Sequence, residues 1–298
     1  MPGALPVGAP WPEDNLLNRT SGSRTFHAYV HVPFCEVRCG YCDFNTYTAA
    51  EIGGVSQSSF HEHLVAEIDF SKRVLGEMPV LSSVFIGGGT PSLFSAEQLR
   101  AVLRSLQDNF GIAADCEVTL EANPESTTPD YLSDIAGLGV TRLSMGVQSF
   151  DESVLNTLDR QHDPERVAPL IDAAQRQGLI TSVDLIYGAP GETLESWKET
   201  LERALELGTE HVSAYSLIVE PGTKLARQIA SGEVGPTNED LNAEMYELAS
   251  EMLDGAGLEW YEVSNWGEPS VHNSAYWKSQ NWWGYGPGAH SHIDGNRF

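Results

Sequence analysis

Short runs rich in β-branched residues alternate with longer amphipathic stretches along most of this chain, and that alternation leaves few folds open. The strand-like runs lie at residues 27–32, 83–87, 117–122, 142–148, 182–187 and 211–218. Helical patterns occupy residues 60–75, 95–109, 129–137, 164–178, 194–208 and 239–257. Start and stop signals support several of these helices, as in Ser95-Ala-Glu-Gln98 and Thr193-Leu-Glu-Ser196 at their heads and Gly178 and Gly208 at their tails. Strands separated by helices make βα units and a parallel sheet. Six units predict an α/β fold built as a partial (β/α)6 TIM-like barrel, in which ligand chemistry collects at the C-terminal ends of the strands.

Each of those strand ends carries a conspicuous group. After the first come Cys35, Cys39 and Cys42, in the order Cys-x3-Cys-x2-Cys within eight residues. An iron–sulfur cube normally takes one thiolate per iron, so three thiolates leave one iron open to another ligand. That open iron is what S-adenosylmethionine needs for reductive cleavage to a radical. The spacing, with the aromatic Tyr41 just before the third cysteine, resembles the radical-SAM signature. Other readings of the same residues are a zinc site completed by His31 or Asp43, and plain buried thiols. Structural zinc usually comes as two Cys-x-x-Cys pairs or as one with a His-x3-His pair, and the chain has no second Cys-x-x-Cys. Cys116, at the head of a strand-like run, reads as core.

With 41% hydrophobic residues, 298 residues can bury one large core or two modest ones. Residues 1–25 are expected to form a flexible leader: the segment is rich in Pro, Gly and Ser and lacks a basic start followed by an apolar stretch. No apolar run approaches a membrane span, which leads to an expectation of a cytoplasmic protein. The formal charge of -25, from 17 basic and 42 acidic residues, argues against nucleic acid as a partner, because phosphate-backbone affinity comes from Lys and Arg.

The remaining strand ends read as a ligand site. The run Gly87-Gly-Gly-Thr-Pro-Ser92 lets backbone approach a ligand closely at Gly88 and Gly89 and adds the Thr90 hydroxyl. Glu121 and Asp184 supply carboxylates, Gln148 an amide and Arg160 a guanidinium suited to a carboxylate. S-adenosylmethionine needs acceptors for its ammonium and ribose and a cation for its carboxylate. Singly, each residue reads equally well as a structural hydrogen-bond partner; their joint placement favours a cofactor site.

Taken together, the cysteine run, Gly87-Gly-Gly-Thr-Pro-Ser92, Glu121-Ala-Asn-Pro124, Met145-Gly-Val-Gln-Ser-Phe150, Asp184-Leu-Ile-Tyr-Gly-Ala-Pro190 and His272-Asn-Ser-Ala-Tyr-Trp277 resemble the oxygen-independent coproporphyrinogen III oxidase family over residues 27–295. The resemblance implies that Cys35, Cys39 and Cys42 bind a 4Fe-4S cluster. It further implies that Tyr29, Tyr41, Gly88, Gly89, Thr90, Glu121, Gln148, Arg160 and Asp184 contact S-adenosylmethionine. Oxidases of the family carry another cysteine two positions after the third, where this chain has Phe44. In that respect, and in its His-Asn-x-x-Tyr-Trp segment, it resembles instead the HemW-type branch of haem chaperones.

That branch implies haem as cargo, with His272 as its ligand and His290 the runner-up, amid the aromatic cluster of Trp266, Tyr276, Trp277, Trp282, Trp283 and Tyr285. It also implies a cellular reductant and a haem-accepting respiratory protein, which could bring the chain to a membrane surface. Whether the scaffold is catalytic stays open; the alternative function is oxidative decarboxylation of coproporphyrinogen III propionates. The expected organisation is the leader, a radical-SAM core over residues 26–257, and residues 258–298 as the start of a porphyrin- or haem-associated C-terminal region, with more chain expected beyond it.

Overall fold

A computed structural model describes residues 24–48 and 55–298. Of the expected leader, only Arg24 and Thr25 fall among the described residues. In chain order the elements are β1 (Phe26–Val32), α1 (Phe60–Leu75), β2 (Leu81–Gly88), α2 (Ala96–Phe110), β3 (Ile112–Ala122), α3 (Pro129–Gly137), β4 (Arg142–Gln148), α4 (Glu152–Thr157), α5 (Val167–Arg176), β5 (Ile180–Tyr187) and α6 (Leu194–Glu206). They continue as β6 (His211–Ser216), α7 (Lys224–Ser231), α8 (Glu239–Gly255), β7 (Trp260–Glu262), β8 (Asn265–Gly267), α9 (Val271–Trp277), β9 (Asn281–Tyr285), β10 (His292–Ile293) and β11 (Asn296–Arg297).

One sheet runs through the described residues in the order β11-β10-β9-β1-β2-β3-β4-β5-β6-β8-β7. Strands β1 to β6 pair in parallel with their sequence neighbours, as in β1–β2 and β4–β5. Helices in the crossovers cover such strands, which is why β1 reads FHAYVHV with nearly every residue buried instead of alternating. The expected βα architecture is therefore present, open at both ends. Residues after 257 add to both edges: the β7–β8 hairpin joins β6, and β9 joins β1 in parallel.

Two helix heads close as the sequence suggests. Ser95 Oγ accepts from the Gln98 amide while Gln98 Oε1 accepts from the Ser95 amide, and Thr193 and Ser196 do the same. Trp197 of α6 is fully buried and donates from Nε1 to the Met245 carbonyl of α8, which pins these helices together. Boundaries differ from expectation where elements are short. The helix read over 164–178 spans Val167–Arg176 behind a 3₁₀ turn at Pro164–Arg166, and β6 stops two residues early. Elements α4, α7, α9 and β7 to β11, two to eight residues each, were not legible because they complete too little of a period.

Candidate functional site

A cavity of about 690 Å³ opens at the C-terminal ends of the strands and runs down the concave face of the sheet. The cysteine loop forms one lip. It is closed on itself just past the end of β1 by main-chain bonds, Tyr47 N to Pro33 O at 2.7 Å and Cys35 N to Tyr47 O at 3.0 Å. Directly beneath lies the glycine run, with Gly89 N donating to Val32 O and Thr90 N to Phe34 O, each at 2.7 Å. Only glycine permits this approach: a Cβ on Gly89 would stand 2.6 Å from the Phe34 carbonyl oxygen and 3.0 Å from Cys35 Sγ. Gly88 has φ +119°, and a Cβ there would meet the His31 ring at 2.6 Å.

Cys35, Cys39 and Cys42 are free, half-buried and line the cavity. Burial pushes the Cys35 thiol up to about 11, opposed by hydrogen bonds from Thr90 and Thr46 and reinforced by Cys42 and Cys39. Burial likewise raises Cys42. Neutral thiols in such a setting lose their protons to solvent on binding a cationic centre. Among the described residues no three His, Cys, Asp or Glu side chains converge tightly enough to hold one metal ion. A cube makes no such demand, because each thiolate reaches a different iron. His31 is also committed elsewhere, through Nδ1 to the Tyr29 hydroxyl at 3.0 Å and through Nε2 to the Asn45 carbonyl at 2.9 Å.

Below the thiols the wall turns polar. Glu121, at the end of β3, accepts from the Gly88 amide at 2.9 Å. Burial raises its carboxyl to about 8, Asp184 adds to the shift, and the Gly88 amide opposes it. Asp184 on β5 is raised too, by burial, against the stabilising hydroxyls of Ser213 and Ser144 and the charge of Arg142. Two carboxyls sharing a desolvated wall are relieved by a cationic or hydroxyl-rich ligand. Arg160 donates from Nη2 to Asn123 Oδ1 at 2.9 Å and to the Gly146 carbonyl at 2.8 Å, with Nη1 3.7 Å from Cys39 Sγ. Its Nε is buried without a hydrogen-bond partner, and Glu125 Oε2 stands 3.7 Å from Nη2. Gln148 ends β4 with φ 67°, a left-handed conformation that costs a side-chain-bearing residue energy and occurs where a site demands it.

Tyr29, Cys35, Cys39, Tyr41, Cys42, Gly88, Gly89, Thr90, Glu121, Gln148, Arg160, Asp184 and His272 all line this one cavity. His290 does not; its ring is exposed elsewhere. His272 differs from a free ligand, being 1% exposed. Its Nδ1 shares a hydrogen bond with Ser83 Oγ at 2.7 Å and its Nε2 with the Tyr276 hydroxyl at 2.8 Å. Ser83 also meets His27 Nδ1 at 2.7 Å. Burial lowers the His272 imidazole to about 3, with His27 adding to the effect, so the ring is neutral. In this arrangement both ring nitrogens are engaged by hydroxyls.

Sequence reading also missed that Tyr276, placed there in the aromatic cluster, faces the cavity, and that Asn123 and Ser144 brace Arg160 and Asp184. No local pattern marks those contacts, since Asn123 and Arg160, like Ser144 and Asp184, lie far apart in sequence. At the mouth stand Phe44, 62% exposed, and Ile218, 69% exposed.

The radical SAM superfamily profile matches residues 29–204. The heme chaperone HemW of Mycobacterium tuberculosis is 44% identical over 301 aligned positions, covering 100% of this chain and 74% of that protein. Heme chaperone HemW of Bacillus subtilis is 36% identical, over 91% of this chain and 72% of its own length. Among solved structures, the coproporphyrinogen III oxidase HemN from Escherichia coli, a radical SAM enzyme, superposes with a TM-score of 0.81 at 25% identity, covering 95% of this chain and 68% of that one.

Proposed function

Because this chain belongs to the HemW-type branch of the radical SAM superfamily, we propose that it binds haem and hands it to an acceptor protein while carrying a 4Fe-4S cluster and S-adenosylmethionine in the cavity. The observation that carries the reading is the meeting of three free thiols with a glycine cradle, two carboxyls and a part-unpartnered guanidinium in one cavity.

In this reading Cys35, Cys39 and Cys42 would hold the cluster, and S-adenosylmethionine would bind beside it. Bound cluster and S-adenosylmethionine together supply one-electron chemistry. Arg160 takes the ligand carboxylate, the main chain at Gly88 and Gly89 with Thr90 flanks the ammonium end, and Glu121, Gln148 and Asp184 accept from amine or ribose hydroxyls. Tyr29 and Tyr41 close the sides. A cellular reductant feeds the cluster, the haem acceptor is a respiratory protein, and the protein works in the cytoplasm. No helix among the described residues is long and apolar enough to cross a membrane. Residues 26–257 act as the cluster and cofactor core, and residues 258–298 carry the haem-associated part.

Phe44 favours the chaperone over the oxidase: it places an exposed phenyl at the mouth where the oxidases carry a cysteine. The likeness to HemN keeps decarboxylation of coproporphyrinogen III as a second reading. Anaerobic reconstitution, followed by iron, sulfide and haem quantification in one sample, tests the proposal. Iron and sulfide bound without retained haem, together with decarboxylated product from coproporphyrinogen III, would transfer the function to the oxidase.

A further inference from the structure

Resting on the cofactor reading above, we infer that Glu125 and His162 form a carboxylate relay behind Arg160: Glu125 is the displaceable counter-ion of the guanidinium, and a ligand carboxylate that reaches Arg160 turns it onto His162, which takes up a proton from solvent. The geometry turns on a single oxygen. Glu125 Oε2 stands 3.7 Å from Arg160 Nη2 on one side and 3.9 Å from His162 Nδ1 on the other.

Only charge holds that oxygen to Arg160. Nη2 has two N–H groups, and both are spent, on Asn123 Oδ1 at 2.9 Å and on the Gly146 carbonyl at 2.8 Å. At 3.7 Å the contact with Glu125 is Coulombic, without a hydrogen bond. The Glu125 side chain is part-exposed and lines the cavity, so it is free to rotate. Its backbone is not. The 3₁₀ turn Pro124–Ser126 is anchored by Ser126 Oγ, 2.6 Å from Ser92 Oγ, and by Thr127 Oγ1, which donates to the Asn123 carbonyl at 2.8 Å.

His162 is 5% exposed, yet neither of its ring nitrogens has a hydrogen-bond partner among the described residues. A neutral imidazole carries one N–H, and a buried donor without an acceptor is costly, so this ring has a place for an acceptor. Burial, and then the charge of Arg160, lower the imidazole to about 4, against the opposing effect of Asp163. Asp163 is committed to the turn that follows, its Oδ1 accepting from the Glu165 amide at 2.9 Å, and Arg166 donates to the Thr127 carbonyl at 3.4 Å. Glu125 is therefore the acid that faces the ring. A ligand carboxylate on Arg160 alters the balance twice: it cancels the positive charge that suppresses His162, and it repels Glu125 from the guanidinium toward the imidazole. Ligand binding and protonation of His162 are then reciprocal. Affinity for a carboxylate-bearing ligand rises as pH falls through the raised value of His162 in the complex, by up to about tenfold per pH unit, and levels off near its value in the free protein.

The relay is tested by calorimetric titration of S-adenosylhomocysteine, which keeps the amino-acid end of the cofactor but has no sulfonium to cleave, into the full chain with its cluster reconstituted anaerobically. Two buffers of different ionisation enthalpy report protons taken up, from about pH 6 to about pH 8. Net uptake is expected toward the acid end, and 5′-methylthioadenosine, which lacks the carboxylate, is expected to cause none. Because Glu121 titrates at about 8, the difference between wild type and variant carries the result. His162→Asn, whose amide can stand in for the Nδ1 donor, is expected to remove the uptake and its part of the pH profile. Glu125→Gln leaves no competing carboxylate beside Arg160 and is expected to bind severalfold tighter than the wild type at the alkaline end, with the advantage shrinking toward the acid end. A residue that merely touched the ligand or braced the loop would weaken binding at both. Melting temperature reports folding, and each variant decides alone where the other does not fold. Uptake unchanged in folded His162→Asn, or weaker alkaline binding by folded Glu125→Gln, would overturn the relay and leave the cofactor reading standing. No binding of S-adenosylhomocysteine by the wild type would overturn the cofactor reading and the relay with it.

Discussion

The Glu121 carboxyl accepts a hydrogen bond from Gly88 and still sits with its acidity shifted to about 8, because burial and the nearby Asp184 outweigh one amide. A carboxyl protonated in the native state above its unfolded value binds more protons folded than unfolded, so its contribution to stability falls as pH rises from about 4.5 to about 8. Glu121→Gln removes that titration. The variant is expected to match the wild type in melting temperature near pH 4.5 and to exceed it increasingly up to pH 8, while losing roughly tenfold or more in S-adenosylmethionine affinity. Thermal melts across pH and isothermal titration check both; a melting difference independent of pH would show that the carboxyl is not strained by its neighbours. At this scale the sequence was a good guide to identity and a poor one to role. Glu121, Asp184 and Arg160 could be named from the strand ends. That His272 meets Ser83 and Tyr276 could not, since those partners come from β2 and from the next turn of α9.

Among the elements, α9 depends most on tertiary support. It spans only Val271–Trp277, too short to persist alone, and its first amides are satisfied by a residue from the sheet. Glu117 of β3 accepts from the amides of Val271 at 3.0 Å and His272 at 2.9 Å and from Ser270 Oγ at 3.0 Å. Arg142 of β4, also buried, stands 3.7 Å from the same carboxylate and donates to the Glu268 carbonyl. Glu117→Ala takes the carboxylate from that guanidinium and the acceptor from the Val271 and His272 amides, and is expected to cost about 3–5 kcal/mol. Hydrogen exchange should accelerate first at residues 270–277; uniform acceleration across the sheet instead would mean that Glu117 supports β3 and not α9. The long helices α1, α2 and α6 were legible because they complete several turns of apolar periodicity, whereas α9 and the hairpins around it have no period to read.

For the whole molecule, charge governs encounter. A net -25 repels an anionic ligand at long range, so association with haem, whose propionates are negative, is expected to quicken severalfold as salt rises from about 0.02 to about 0.3 M. Stopped-flow absorbance measures this; slowing with salt would mean that a local cation dominates the approach. The sheet adds a second expectation. Strand β9 covers an edge of β1, whose residues are nearly all buried, so ending the chain at Gln280 exposes a long apolar edge and should drive aggregation, visible by sedimentation.

Local composition determined the βα alternation, the three-thiol loop and the acidic surface, because periodicity, spacing and charge are properties of neighbouring residues. Tertiary structure alone decided that the late segment wraps back onto β1, that His272 meets two hydroxyls, and that Glu125 stands between Arg160 and His162. Those outcomes depend on contacts between segments remote in sequence, and a histidine's proton is set by whichever partners the folded chain brings to its ring.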